Sequence, residues 1–305
     1  MSFEFTVLAS GSRGNAAIVR SSGSGVLIDL GLGPRSLTQR MAEVGAAWDD
    51  LASALLTHTH GDHVRDSTLR ALAVRKIPLY CHDGHRDGLA RYGGFQALDR
   101  AGLVRTFDDR PFLTPDGLCV EPITLSHDGG PTFGFRVEAR PRRRGRAVAV
   151  GYLADTGCWR RATAESLMNV DVLAVEFNHD VAMQKDSGRA PYLIARNLGP
   201  RGHLSNDQAA DLVSTVLGES MPGSVRHVVL LHLSQHCNCP DLARTVARTA
   251  VRSTGRAAKV HVASQWTPFP HLPVSPSRRS CRPTGFPWER AARGQDATPF
   301  RLIMD

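Results

Sequence analysis

The sequence predicts a layered α/β fold, two sheets with helices on their outer faces. Three observations point there: short apolar runs that stop at turn residues, helical stretches interleaved with them in both halves, and runs apolar throughout, as strands buried on both faces are. With 305 residues, the chain is long enough for one large domain or two small ones with a sizeable core.

The elements follow in order. Residues 5–9 are an apolar run that stops at Ser10-Gly11-Ser12-Arg13-Gly14-Asn15. Residues 16–20 resume it, and residues 25–29 form another strand ending at Leu30-Gly31. Pro34 opens a helix to about Gly45, with Leu37, Met41 and Val44 on one face. Residues 52–57 read as a buried strand, 67–74 as a helix and 78–81 as a short strand, followed by helical and loop segments to about Arg100. The middle is strand-rich, at 118–125, 132–139, 147–154 and 171–176. A helix at 208–217 starts near Asn206 or Asp207, a buried strand covers 225–233, a helix 240–251 and a last strand 259–263. Residues 266–305, rich in Pro and Arg with little periodicity, are expected to be a mobile tail, which leaves 1–265 as one domain.

Composition narrows the class. Hydrophobic residues make up 42% and charged residues 22%, the balance of a globular protein. The net charge is +8, and Lys76, Lys185 and Lys259 are the lysines among 37 basic residues. By itself this charge fits a solvated surface as well as a polyanionic partner. No apolar run is long enough to span a membrane, and the start lacks the pattern of a secretory signal. Cys81, Cys119, Cys158, Cys237, Cys239 and Cys281 are too sparse for a disulfide scaffold and form no CxxC pair, so a reducing cytoplasm is expected.

The sharpest motif is Thr57-His58-Thr59-His60-Gly61-Asp62-His63, directly after a predicted strand. On an extended chain His58 and His60 point to one side, and Asp62 and His63 in the following turn reach a second position. Three imidazoles and a carboxylate suit zinc, manganese or iron. One short motif cannot close two metal sites, so other ligands must come from elsewhere. His127, Asp155 and His232 lie in or just after predicted strands. Asp29 has the same placement, where a buried carboxylate orients a ligand imidazole from behind.

These residues together resemble the metallo-β-lactamase superfamily: HxHxDH, a preceding strand ending in Asp-x-Gly, then an isolated His, Asp and His. The resemblance implies a four-layer αββα sandwich with two divalent metal ions, Zn or Mn, between the sheets at one edge. It implies that His58, His60 and His127 hold one metal and Asp62, His63 and His232 the other, with Asp155 bridging and Asp29 in support. Within the superfamily, five segments in order resemble the YycJ/WalJ-type group, linked to 5′-to-3′ DNA exonuclease activity. They are residues 8–15, 126–135, 176–180, 202–206 and 232–234. Glu176-Phe177-Asn178-His179 and His203-Leu204-Ser205 also resemble segments that flank the metals in ribonuclease Z.

The resemblance implies roles for further residues. Asp62, His203 and His179 are the candidate catalytic groups, with Glu176 supporting a ligand, and Asn15 and Ser205 as candidate phosphate contacts. Arg142, Arg143 and Arg144, within the Arg-rich turn 140–146, would grip a phosphate backbone without reading sequence. The stretch 128–154 is too short for the tRNA-gripping arm of ribonuclease Z, and 156–231 leaves no room for the inserted domain of the ribonuclease J type. The expected activity is thus metal-dependent cleavage of nucleic acid, DNA favoured. The same metals would serve a hydrolase of a small ester, thioester or cyclic phosphodiester, and a non-catalytic nucleic-acid-binding protein is a third reading. Metal identity and oligomeric state are open at this level.

Overall fold

The structure, a computed structural model, describes residues 3–139, 147–269 and 271–274. In chain order the first half contains β1 (Phe3–Ala9), β2 (Ala16–Ser21), β3 (Ser24–Ile28), α1 (Pro34–Glu43), β4 (Leu51–Leu55), α2 (Asp66–Arg75), β5 (Leu79–His82), α3 (Arg86–Leu89), α4 (Gly93–Arg100) and β6 (Val104–Phe107). The second contains β7 (Phe112–Leu113), β8 (Cys119–Leu125), β9 (Thr132–Ala139), β10 (Val148–Leu153), α5 (Arg161–Leu167), β11 (Val172–Glu176), α6 (Val181–Lys185), α7 (Pro191–Leu198), α8 (Asn206–Glu219), β12 (His227–Leu231), α9 (Pro240–Ser253) and β13 (Lys259–Val262). A last strand, β14 (Leu272–Pro273), returns to the first half.

Two sheets result, ordered β14-β1-β2-β3-β4-β5-β6 and β13-β12-β11-β10-β9-β8-β7. They share a pattern. Pairing is antiparallel from β14 to β3 and parallel from β3 to β6; it is antiparallel from β7 to β10 and parallel from β10 to β13. Asp29 follows β3 and Asp155 follows β10 closely, so both stand where pairing changes sense. Both have positive φ, 66° and 58°. Aspartate tolerates that left-handed conformation better than most residues, because its short side chain can hydrogen-bond locally.

Side-chain alternation along each strand builds the layers. On β1, Phe5 and Val7 enter the core between the sheets, whereas Leu8 joins the cluster outside. On β12, Val229 and Leu231 face inward and Val228 and Leu230 outward. The inner core joins Ile28 and Val19 of one sheet to Phe135, Val150 and Tyr152 of the other. Leu37 and Met41 of α1 and Leu69 and Leu72 of α2 cover the first sheet, and Leu212 and Val216 of α8 and Ala247 and Val251 of α9 cover the second. This is the expected four-layer αββα sandwich.

Several elements differ from expectation. β6, β7, α5, α6 and α7 were not legible. β6 has two exposed residues among four and β7 has only two residues, so neither offers a periodic pattern. The folded part also runs beyond residue 265. Phe269 donates to Val7 O at 2.7 Å and Val274 to Phe3 O at 2.7 Å, and Leu272 and Pro273 pair with Phe5 and Glu4. A proline is tolerated there because β14 is an edge strand that needs no donor on its open side. Arg142, Arg143, Arg144 and the tail from residue 275 lie outside the described residues.

Candidate metal centre

The HxHxDH segment leaves β4 as a loop seated on the end of β3. Thr57 donates to Asp29 Oδ1 through its backbone N–H at 3.0 Å and its hydroxyl at 2.8 Å. His63 Nδ1 lies 2.7 Å from Asp29 Oδ2. Asp29 is fully buried, so this carboxylate fixes both the loop and the ring of His63. Gly31 makes the close seating possible: a Cβ there would lie 1.7 Å from the carbonyl oxygen of Asp62. The Asp-x-Gly signature thus has a steric cause as well as a polar one.

Three imidazoles, those of His58, His60 and His127, bring one nitrogen each within 4.8 Å of one another. His127 Nδ1 donates to the carbonyl of Gly202 at 2.8 Å, which leaves Nε2 bare and 3.3 Å from His60 Nδ1. His58 Nε2 is buried with no hydrogen-bond partner. Burial holds His58 well below its ordinary pKa, with the neighbouring His63 adding to the effect, and burial and His127 lower His60. Three imidazole nitrogens converging at this place fit a cation, which would satisfy the orphaned nitrogen of His58.

A second group, Asp62, His63, Asp155 and His232, also meets within 4.8 Å. Asp155 Oδ2 is 2.6 Å from His63 Nε2 and 3.3 Å from His58 Nε2, so this carboxylate stands between the two groups. Its Oδ1 is 2.8 Å from His232 Nδ1, and His232 Nε2 is 3.4 Å from Asp62 Oδ2. Burial disfavours the Asp155 carboxylate, but His232 and His63 outweigh it and hold the group well below the usual range. Burial likewise opposes the charged form of His63, and Asp29 and Asp155 outweigh it, so its pKa rises well above the ordinary value. The donor set of nitrogen and carboxylate oxygen suits Zn²⁺ or Mn²⁺.

The structure places the remaining expected residues unequally. His203 reaches the cleft: its Nδ1 is 2.7 Å from Glu176 Oε1 and 3.3 Å from Asp155 Oδ1. Burial opposes its charging, but Glu176 and then Asp155 raise its pKa to about 9. Glu176 is fully buried, accepts from Thr156 N at 2.9 Å and is pulled down to about 2 by His203 against the cost of burial. His179, expected to act on substrate, lies beneath the surface with neither ring nitrogen partnered. Its backbone pairs with Ser205, and its carbonyl accepts from Asn206 N at 2.8 Å.

Two expected phosphate contacts have other partners. Ser205 is buried and caps α8, its hydroxyl accepting from Gln208 N at 3.2 Å. Asn15 is buried behind Asp62 and His63: its backbone N–H donates to Asp62 O at 2.8 Å and its amide nitrogen lies 2.9 Å from His63 Nε2. It positions Asp62 and His63 instead of meeting solvent. Sequence reasoning missed Ser12, Asn178, Arg189 and Arg196, which line a cleft of about 260 Å³ above His60 and Asp155. Asn178 sits inside a quoted motif and donates to His232 O at 2.9 Å, a signal that was available. Arg189 and Arg196 carry no local signature, because only the α6–α7 excursion brings them over the cleft. Arg196 pairs with Asp128, which is 3.5 Å from His127 Nε2.

An αββα sandwich with converging imidazoles and carboxylates at the carboxyl ends of its strands defines a metal-dependent hydrolase. The chain belongs to the β-lactamase superfamily: the family described as "Beta-lactamase superfamily domain" matches residues 25–233. It is 27% identical to exodeoxyribonuclease WalJ of Streptococcus pneumoniae serotype 2 over 248 residues, 79% of this chain and 85% of that protein. It is 27% identical to exodeoxyribonuclease YycJ of Bacillus anthracis over 262 residues, 84% and 91% of the two chains. Among solved structures, the metallo-β-lactamase fold protein YhfI from Bacillus subtilis superposes with a TM-score of 0.62 at 18% identity, covering 88% of this chain and 99% of that one. Among the described residues no helix is long and apolar enough to cross a membrane.

Proposed function

We propose that this protein is a two-metal phosphodiesterase acting on nucleic acid, a DNA exonuclease working from the 5′ end. The observation that carries the reading is Asp155 standing between two imidazole groups at the floor of a cleft roofed by Arg189 and Arg196. The similarity to two proteins named exodeoxyribonucleases supports it. His58, His60 and His127 would hold one divalent cation, Asp62, His63 and His232 the other, and Asp155 would serve both. Such cations lower the pKa of water towards ~7 and stabilise negative charge on phosphoryl oxygens.

The chain's own groups supply the rest. Asp29, Asn15 and Glu176 hold ligand side chains in orientation from behind. Arg189 and Arg196 present positive charge where phosphate would enter. His203 is held through Nδ1, 2.7 Å from Glu176 Oε1, and lines the cleft, so its other ring nitrogen is available to act on the departing oxygen.

The test is digestion of end-labelled single- and double-stranded DNA and RNA with Zn²⁺ or Mn²⁺ added back, beside the Asp155→Asn variant. Asparagine keeps the left-handed conformation at this position but removes the charge. The expected result is release of nucleotides from the 5′ end of DNA by the wild type and a loss of at least about a thousandfold in the variant. Full activity in the variant, or turnover confined to small esters, would overturn the reading.

A further inference from the structure

Among the described residues, the exposed aromatic side chains are Tyr192, 71% exposed, and Trp266, 59% exposed. An exposed tryptophan or tyrosine is unremarkable alone. Each stands beside residues that line the cleft. Tyr192 lies on α7, one turn before Arg196, so the two side chains share a helix face, and Arg189 just before the helix lines the cleft as well. Arg189 makes no hydrogen bond or ion pair within the described residues, leaving its guanidinium available to an anion. Trp266 stands on the side of Ser12, which lines the cleft too. It is held there: Arg13 lies 5.3 Å over its ring, and the Arg13 N–H donates to Gln265 Oε1 at 2.8 Å.

We infer that Tyr192 and Trp266 are stacking platforms for the bases of a single-stranded nucleic-acid terminus, whose backbone the arginines lead down to the metal centre. This rests on the nuclease reading and adds which form of substrate the cleft takes. Successive bases of a single strand expose π faces that paired bases bury, and cationic residues beside aromatic rings track the intervening phosphates. Tyr192 and Arg196, one turn apart, alternate ring and charge in that manner, as Trp266 and Arg13 do next to Ser12.

The experiment compares steady-state cleavage of a short single-stranded DNA oligonucleotide with that of the same oligonucleotide whose terminal bases are replaced by abasic sugars. Tyr192→Ala and Trp266→Ala are each expected to raise KM for the intact oligonucleotide about tenfold with kcat little changed. Tyr192→Phe, which keeps the π face, keeps the low KM. On the abasic oligonucleotide the wild type shows the raised KM already, and neither alanine variant raises it further. An RNA oligonucleotide run in parallel tells which sugar the terminus carries; the stacking signature in either supports the inference. Unchanged KM in both alanine variants, or equal increases on intact and abasic oligonucleotides, overturns it while leaving the nuclease reading in place. A wild type that cleaves duplex DNA but no single-stranded oligonucleotide overturns this inference alone, and one that cleaves neither overturns the nuclease reading with it.

Discussion

Asp29 and Asp155 hold the imidazole of His63 between them. Asp29 Oδ2 lies 2.7 Å from Nδ1 on one side of the ring, and Asp155 Oδ2 lies 2.6 Å from Nε2 on the other. The two carboxylates follow β3 and β10, the strands at which each sheet changes from antiparallel to parallel pairing. One faces the interior and anchors the loop; the other faces the cleft. The same residue type at matching places in two sheets thus serves two ends of one ring.

Asp29 is predicted to govern metal retention from behind the ligands. Asp29→Asn removes the charge that fixes the His63 tautomer and leaves poorer partners for Thr57. Metal affinity should fall about ten- to a hundredfold, measured by competition with a chromophoric chelator. Asp29→Ala should also lower stability by roughly 3 kcal/mol in urea unfolding, since three buried donors lose their acceptor. Wild-type metal affinity in the Asn variant would show that the clamp has no bearing on the site.

His203→Gln tests the proton donor. It should lower kcat on nucleic acid by about 10²- to 10⁴-fold. Bound metal, counted by elemental analysis, should stay near the wild-type level, because the His58, His60, His127 and His63, His232, Asp62 sets are untouched. A matching loss of metal would place His203 among the ligands, where its grouping with Asp155, Glu176 and His232 also allows it to sit.

Ser205 separates capping from phosphate contact. Its hydroxyl already accepts from Gln208 N, so Ser205→Ala should cost about 1 kcal/mol of stability with KM for nucleic acid unchanged. A KM raised tenfold at unchanged stability would restore the contact role expected from sequence.

A pH dependence of stability follows from His227, remote from the cleft. Burial, then His261, Arg226 and Lys259, push its pKa down to about 4 from the ordinary 6.5. The unfolded chain therefore takes up a proton below pH 6.5 that the folded protein refuses until about pH 4. The contribution of this residue is complete above 6.5 and is lost progressively as pH falls to about 4. Urea midpoints should drop between neutral pH and pH 5, and less so in His227→Gln. Equal drops in both proteins would remove His227 as a cause.

The side chains that converge in the candidate site were legible because their signals are local. HxHxDH follows a strand directly, and Asp29, Asp155 and His232 come just after apolar runs, each forced by chain direction to the same edge of the sandwich. The three share positive φ, a conformation that turns the chain sharply at a strand end. The signals at Ser205 and Asn15 are ambiguous for a complementary reason. A serine before a helix and an asparagine in a Gly-rich loop read alike whether their polar atoms meet a substrate or the backbone.

What the sequence by itself determined is the layered class, most of the strands and the residues able to bind metal, since strand period, turn residues and ligand spacing are properties of neighbours in the chain. Tertiary structure alone decided which of those groups converge, which polar side chains are buried, and which arginines line the cleft. Those depend on contacts between segments far apart, as where Gln265 bonds Arg13 and Gly14 and leaves Trp266 beside Arg13, or where α7 and the residues just before it bring Arg196 and Arg189 to the cleft of His60. Such proximity is set by the packing of two sheets into one core, which no local pattern encodes.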